Sequence, residues 1–244
     1  MPKQRLDLWM IGHGLAGSRE KAQALIMAGE VTLNGQKALK PSQPADDDAR
    51  VEVLAKLRYA SRGGLKMEGA LGRFAIDVTG FVCADFGAST GGFTDCLLQS
   101  GAVRVHTIDV GAGQLDWKLR NDPRVVVHEG VNARYTELAD LGEAVDMAVC
   151  DVSFISATLI VPAMVRVLKP GTGCMVILVK PQFEVGKGKV PRGGIVRDPV
   201  LHVEVCDKLQ ACVGELGFVS QMMESPITGA EGNREFLMYA RREL

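Results

Sequence analysis

No stretch of this 244-residue sequence approaches the ~18 consecutive apolar residues of a membrane span, and the opening Met1-Pro2-Lys3-Gln4-Arg5 leads into no secretory apolar core. The six cysteines, at positions 83, 96, 150, 174, 206 and 212, include no C-x-x-C pair. Four lie in or beside apolar segments, so buried free thiols of a reducing compartment are expected rather than a disulfide or zinc framework. The histidines at 13, 106, 128 and 202 have no metal-ligand spacing, and no metal site is expected. What remains, 47% hydrophobic and 23% charged, is ordinary folded composition, read as a cytoplasmic protein with one large domain and a small appendage.

Net charge is also nearly missing, at -1, but its distribution is uneven. Residues 1–66 hold 11 Lys/Arg against 7 Asp/Glu, three of them the run Asp46-Asp47-Asp48, and the remainder holds 17 against 22. A positive N-terminal module on a mildly acidic body suits contact with a phosphate backbone.

Two nucleotide-binding fingerprints are absent from the most distinctive stretch, Ala84-Asp85-Phe86-Gly87-Ala88-Ser89-Thr90-Gly91-Gly92-Phe93-Thr94-Asp95. Ser89 stands at the second glycine of G-x-G-x-x-G, and Phe93 stands where a phosphate-cradling loop needs lysine. Apolar residues lead in and a helix-like run leads out, so the stretch reads as strand, glycine loop and helix. Gly87, Gly91 and Gly92 are expected to let the backbone turn and approach a ligand closely. An acidic residue beside a small-residue loop at the first turn of a doubly wound sheet suits S-adenosylmethionine (SAM). Cofactor contacts are expected from Asp85, Gly87, Ala88, Ser89, Gly91, Gly92 and Phe93, and further along the chain from Asp109, Asn132 and Asp151.

Upstream, Leu6, Trp9 and Met10 give helical spacing over residues 5–13, and Ser18 is positioned to cap a second helix over 19–28. Val31 and Leu33 suggest a short strand, Asn34-Gly35 a hairpin turn, and Val51 to Val53 a later strand. Pro41, Pro44 and the aspartate run mark a weakly structured part. These residues resemble the S4 RNA-binding fold over residues 4–53, on Arg5-Leu6-Asp7, Ser18-Arg19-Glu20-Lys21-Ala22 and Ala28-Gly29-Glu30-Val31-x-x-Asn34-Gly35. The resemblance implies a groove for structured RNA that includes Arg5, Arg19, Lys21 and Lys37. An S4-like domain over residues 1–57, a joint over 58–65 and a second domain over 66–244 are expected.

Beyond the glycine loop, strand and helix patterns alternate as a parallel sheet requires. Strands are expected over 103–110, 124–128, 145–150 and 174–179, with the last two strands over 217–223 and 235–240. Asp85, Asp109, Asp151 and Lys180 all fall at carboxyl ends of strands, the edge where such sheets bind ligands. Asp109 suits a ribose hydroxyl pair, and Asn132 lies near where an adenine edge would be read.

This α/β body resembles the FtsJ-like ribose 2′-O-methyltransferases, with a Rossmann-like sheet, and nearly the whole chain resembles the TlyA family. The motifs are Ser61-Arg62-Gly63-Gly64-Leu65-Lys66, Gly87 to Thr94, Arg120-Asn121-Asp122-Pro123-Arg124-Val125, Asp151-Val152-Ser153-Phe154-Ile155-Ser156, Val179-Lys180-Pro181-Gln182-Phe183-Glu184 and Gly232-Asn233-Arg234-Glu235. The resemblance implies a catalytic tetrad of Lys66, Asp151, Lys180 and Glu235. A ribose hydroxyl is a poor nucleophile near neutral pH, so a group must orient it and take its proton. Lys180 is the expected acceptor, although an unperturbed lysine titrates near ~10.4, while Asp151 and Glu235 fix the geometry of the two lysines. Arg62, Lys187, Lys189 and Arg192 are expected to meet RNA, the last three on a mobile glycine-rich loop.

The implied activity is SAM-dependent cytidine 2′-O-methylation of rRNA, as free rRNA or in a ribosomal subunit. Because longer family members carry a further segment after the last strand, 23S rRNA is expected over 16S for this short form. Two other classes remain open at this stage: a non-catalytic RNA-binding or ribosome-assembly factor, and a membrane-active haemolysin, the family's older name.

Overall fold

A computed structural model describes residues 3–27, 29–53, 58–186, 188–229 and 232–242. Lys187 of the expected RNA-binding loop and residues 54–57 beside the expected joint lie outside the described residues. The chain divides into two compact units, Met1–Leu57 and Arg58–Leu244.

The first unit runs β1 (Gln4–Arg5), α1 (Leu6–Gly12), α2 (Arg19–Met27), β2 (Val31–Leu33), β3 (Gln36–Lys37), β4 (Pro44–Ala45) and β5 (Val51–Val53). Strands β3, β2 and β5 form an antiparallel sheet. Asn34 and Gly35 both take positive φ, 52° and 78°, as a two-residue hairpin turn demands. Leu6, Trp9, Met10, Ala22, Ile26 and Val31 supply the core. Ser18 caps α2 as expected, its Oγ accepting from the Lys21 amide at 3.2 Å.

Two expectations for this unit change. The segment around Pro44 is not loosely structured, because β4 pairs with β1, and the Leu6 and Asp7 amides donate to the carbonyls of Gln43 and Pro41. Proline suits this short edge strand, where its missing N–H costs no ladder bond. Secondly, Arg5 and Arg19, expected in an RNA groove, also serve the core, both pairing with Asp7 while 41% and 51% of their side chains stay exposed. Asp7 is fully buried, and its carboxylate accepts from Arg5 (3.0 and 2.8 Å), Arg19 (3.3 Å) and Gln23 (2.9 Å). The Arg5 guanidinium, more than its other partners, holds Asp7 far below the usual carboxylate range against the opposing effect of burial. A buried carboxylate left unpaired would be costly, so the arginines are drawn to it. Lys21 and Lys37 stay exposed.

The second unit opens with α3 (Gly63–Phe74) and continues through β6 (Val82–Phe86), α4 (Gly92–Gln99), β7 (Arg104–Asp109), α5 (Trp117–Arg120), β8 (Val125–Glu129), α6 (Leu138–Leu141), β9 (Met147–Cys150), α7 (Val161–Val167), β10 (Cys174–Val179), α8 (Pro181–Glu184), α9 (Pro199–Glu215), β11 (Phe218–Glu224) and β12 (Phe236–Arg242). Its seven-stranded sheet has the order β11-β12-β10-β9-β6-β7-β8. The run from β10 to β8 is parallel, and β12 lies antiparallel to both of its neighbours. Every residue of β9 and β10 is buried, as a sheet covered on both faces requires. One core packs Val161, Met164, Val205 and Leu209 of α7 and α9 against the sheet. The other packs Met67, Ala70, Phe93 and Leu97 of α3 and α4. All six thiols are free; Cys83, Cys96, Cys150 and Cys174 are buried, whereas Cys206 and Cys212 are half-buried.

Strand register decides which chain ends meet. Phe86 pairs with Cys150, so Gly87 and Asp151 leave neighbouring parallel strands side by side. Val179 pairs with Phe236 in the antiparallel ladder, which brings Glu235 to the strand end that carries Lys180. No helix among the described residues is long and apolar enough to cross a membrane.

Candidate active site

The glycines of the loop make room first for the protein itself. A Cβ on Gly87, whose φ is 84°, would stand 2.8 Å from the Asp151 carbonyl oxygen and 2.9 Å from Val152 Cγ1. One on Gly92 would stand 2.2 Å from Ser61 Oγ and 2.9 Å from the Gly64 amide, so glycine there lets the starts of α3 and α4 approach closely. At Gly91, expected at the cofactor and with φ 91°, a Cβ would meet Leu119 Cδ1 at 2.3 Å and Leu115 Cδ1 at 2.8 Å.

Around this loop lie two connected hollows. The larger, about 510 Å³, is walled by Gly87, Ser89, Asp109, Asn132 and apolar Ile108, Val152, Ile155 and Ile160. The smaller, about 170 Å³, is lined by Asp85, Ala88, Gly92 and Phe93 together with Lys66, Asp151 and Lys180. Gly87, Ser89, Asp151 and Ser153 belong to both. Asp109 accepts from the Ser89 amide (2.8 Å) and the Gly111 amide (2.7 Å), so one carboxylate ties the glycine loop to the turn after β7. Asn132 Oδ1 accepts from the Arg134 amide at 3.1 Å.

Asp85 is fully buried; its Oδ2 accepts from the Thr94 amide (3.0 Å) and hydroxyl (2.6 Å). Its Oδ1 has no hydrogen-bond partner in the protein. Burial pushes this carboxyl up to about 7, with the Thr94 bonds opposing and the Asp151 charge adding to the rise. A folded-state value above the unfolded one means that the native state holds the extra proton between pH ~4 and ~7, so stability falls as pH rises through that window. Asp85→Asn retains an acceptor for Thr94 and removes the titration. Without SAM, its melting temperature relative to the parent is expected to climb between pH 5 and pH 8. A pH-independent difference would refute the assignment.

The four tetrad positions come together as two ion pairs. Lys66, on the first turns of α3 and only 8% exposed, places Nζ 2.5 Å from Glu235 Oε2, and Glu235 is 3% exposed. Lys180 places Nζ 2.6 Å from Asp151 Oδ1 and donates to Ser153 Oγ at 2.9 Å. Both lysines line the small hollow and a third one of about 460 Å³, which reaches Gln182, Phe183 and Asn233. Each ammonium therefore has its own carboxylate beside it, and neither relies on the other's partner.

Sequence reasoning passed over two neighbours. Ser153 borders all three hollows and touches Lys180, although only its motif was singled out. Phe154 is 92% exposed, takes φ 67° and lies 5.2 Å from the Phe183 ring. A bulky residue at positive φ is held there by its surroundings, and no composition signal could have marked it. The basic positions divide. Arg62 donates to the Thr228 carbonyl (2.8 Å), Lys189 pairs with Glu204 (2.9 Å), and Arg192 is exposed. The loop expected to be mobile is fastened at its far end, where buried Asn233 accepts from the Val196 amide and donates to the Gly194 carbonyl, both at 3.0 Å. His106 and His128, distant in sequence, meet at 3.1 Å across β7 and β8. No group of three or more metal-ligating side chains forms among the described residues.

Comparison with known proteins adds a family to this geometry. The FtsJ-like methyltransferase family matches residues 59–242, and the S4 domain family matches residues 4–51. The 16S/23S rRNA (cytidine-2′-O)-methyltransferase TlyA of Mycobacterium tuberculosis is 44% identical over 244 residues, covering 99% of this chain and 91% of the relative. The 23S rRNA (cytidine-2′-O)-methyltransferase TlyA of Campylobacter jejuni is 31% identical, covering 91% and 93%. A solved structure named for hemolysin, from Streptococcus thermophilus, superposes with a TM-score of 0.75 at 44% identity, covering 100% of this chain and 90% of the other.

Proposed function

The chain belongs to the TlyA family, an S4 domain joined to an FtsJ-like SAM-dependent methyltransferase, and from that premise we propose that it methylates the 2′-hydroxyl of a cytidine in rRNA. The observation that carries the reading is the Lys180 ammonium, fixed by Asp151 and Ser153 where the two smaller hollows share a wall.

The residues fit SAM. Asp85 Oδ1 is a buried acceptor in need of a donor, which a ligand ammonium would supply. Asp109 retains lone pairs for a ribose diol, and the apolar wall from Ile108 to Ile160 suits an adenine ring. Bound SAM supplies an electrophilic methyl group on a sulfonium. Lys180 Nζ, after its ammonium gives up one proton to solvent, would accept the 2′-hydroxyl proton while Asp151 and Ser153 hold it in place. Lys66, seated on Glu235, adds a second fixed cation to the hollow that receives the nucleotide. The S4 unit adds sequence-independent RNA affinity through its exposed Lys21 and Lys37, while Arg5 and Arg19 act through faces that Asp7 leaves open.

Within this reading 23S rRNA ranks before 16S, since 23S stands in the names of both methyltransferase relatives and 16S in only one. Incubation with separated 50S and 30S subunits and methyl-labelled SAM is expected to label 50S faster, at a cytidine mapped by its resistance to alkaline cleavage. Label confined to 30S would reverse the ranking, and label on neither would remove the reading.

A further inference from the structure

Behind the Lys180–Asp151 pair stands a buried carboxylate that lines none of the three hollows described above. Glu184, at the end of α8 and 6% exposed, accepts from Ser156 Oγ and from the Ala157 amide, both at 2.6 Å. Lys208 of α9 donates to the same carboxylate at 3.0 Å and to the Glu184 carbonyl at 3.2 Å. Ser156 in turn closes the turn beyond it, contacting the Thr158 hydroxyl at 2.7 Å.

These contacts join two segments that leave adjacent parallel strands. Residues 151–156 follow β9 and carry Asp151, Ser153 and Phe154, while α8 follows β10 directly after Lys180. Asp151 and Lys180 both lie beyond the last pair of the β9–β10 ladder, Cys150 with Ile177, so the ladder alone does not fix the 2.6 Å between Lys180 Nζ and Asp151 Oδ1. The path of the two segments beyond the sheet sets that distance. The first also holds Phe154 at positive φ, a conformation that persists only where surrounding contacts over-determine it. Glu184 holds the same segment from α8 at Ser156 and Ala157, just after Phe154, and Lys208 balances its buried charge.

We infer that Glu184 is a positioning residue: it fastens the segment bearing Asp151 and Ser153 to the helix that follows Lys180, and so fixes where Lys180 Nζ stands. The inference rests on the proposed role of Lys180 and adds a residue that touches neither substrate nor cofactor.

The test uses the full chain with 50S subunits and measures kcat, KM and calorimetric SAM affinity for Glu184→Ala, Glu184→Gln and Ser156→Ala. Glu184→Ala is expected to lower kcat by at least ~10-fold, since displacing a reacting group by ~1 Å costs up to ~10²-fold. SAM Kd and RNA KM should stay within about twofold, because the walls of the cofactor hollow are untouched. Glutamine can still accept from the Ala157 amide and bond Ser156, so Glu184→Gln should recover most of kcat. Ser156→Ala, which leaves Glu184 and Lys208 paired, should lose kcat with KM retained, and it carries the test if Glu184→Ala does not fold. Parental kcat in Glu184→Ala or Ser156→Ala would overturn the inference, as would equal losses in kcat and SAM affinity or no recovery with glutamine. If Lys180→Ala is inactive while Glu184→Ala turns over normally, only the positioning role falls. If Lys180→Ala is active, the reading beneath it falls instead.

Discussion

Lys180→Ala is expected to reduce methyl transfer by ~10²–10⁴-fold, the range for loss of a general base, while SAM binding is retained. The ammonium spans Asp151 and Ser153 at 2.6 and 2.9 Å, so its removal deletes the proton acceptor and frees the Asp151 carboxylate. That carboxylate borders both hollows assigned to SAM, which is cationic at sulfur, and its unmasked charge should hold or raise SAM affinity. Lys180→Arg separates geometry from proton chemistry. A guanidinium can still pair with Asp151, but it stays protonated in proteins and accepts nothing. Both variants should bind SAM in a calorimeter and fail in single-turnover transfer to 50S subunits. Near-parental turnover in either would remove Lys180 from the reaction.

Asp109→Ala is expected to weaken SAM binding by ~1.5–3 kcal/mol, the range for a hydrogen bond to a charged group, or about 10- to 150-fold in Kd. Two losses combine here. The acceptor for the ribose hydroxyls goes, and the Ser89 and Gly111 amides lose the carboxylate that joins their loops. Because that carboxylate serves loop and ligand together, kcat at saturating SAM should change far less than the SAM KM. Unchanged calorimetric affinity would place the ribose elsewhere. The contrast with Lys180→Ala is diagnostic, since one variant loses chemistry and the other loses cofactor.

Much of this organisation is legible in the order of residues. The strand–loop–helix at Ala84 to Asp95, the apolar run Cys174 to Val179 and the carboxylates at strand ends follow from local pattern, because a parallel strand buried on both faces needs a continuous apolar run. That pattern places Asp109, Asp151 and Lys180 on one edge before any coordinates exist. It also places Ser18 as a cap and Asn34-Gly35 as a turn, since each has a short-range mechanism. Conformation fixed by contacts distant in sequence is not legible in this way. Pro44 pairs with Arg5 although the local signal there is loop-like. Arg5 and Arg19 read as surface cations, yet a carboxylate buried in the core of α1 draws them in. Gly91 reads as part of a ligand cradle, and only the packing of Leu119 shows why glycine stands there.

The sequence by itself determined the elements, their edge and the chemical types gathered on it, because periodicity and turn chemistry act over a few residues. Tertiary structure alone decided the pairings: Lys66 with Glu235 across 169 positions, Lys180 with Asp151, and Glu184 with the turn at Ser156. The physical reason is register. Antiparallel pairing of Val179 with Phe236 and parallel pairing of Cys150 with Ile177 are long-range choices made by the whole hydrophobic core. Those choices bring chain ends within the few ångströms over which an ion pair or a proton transfer operates.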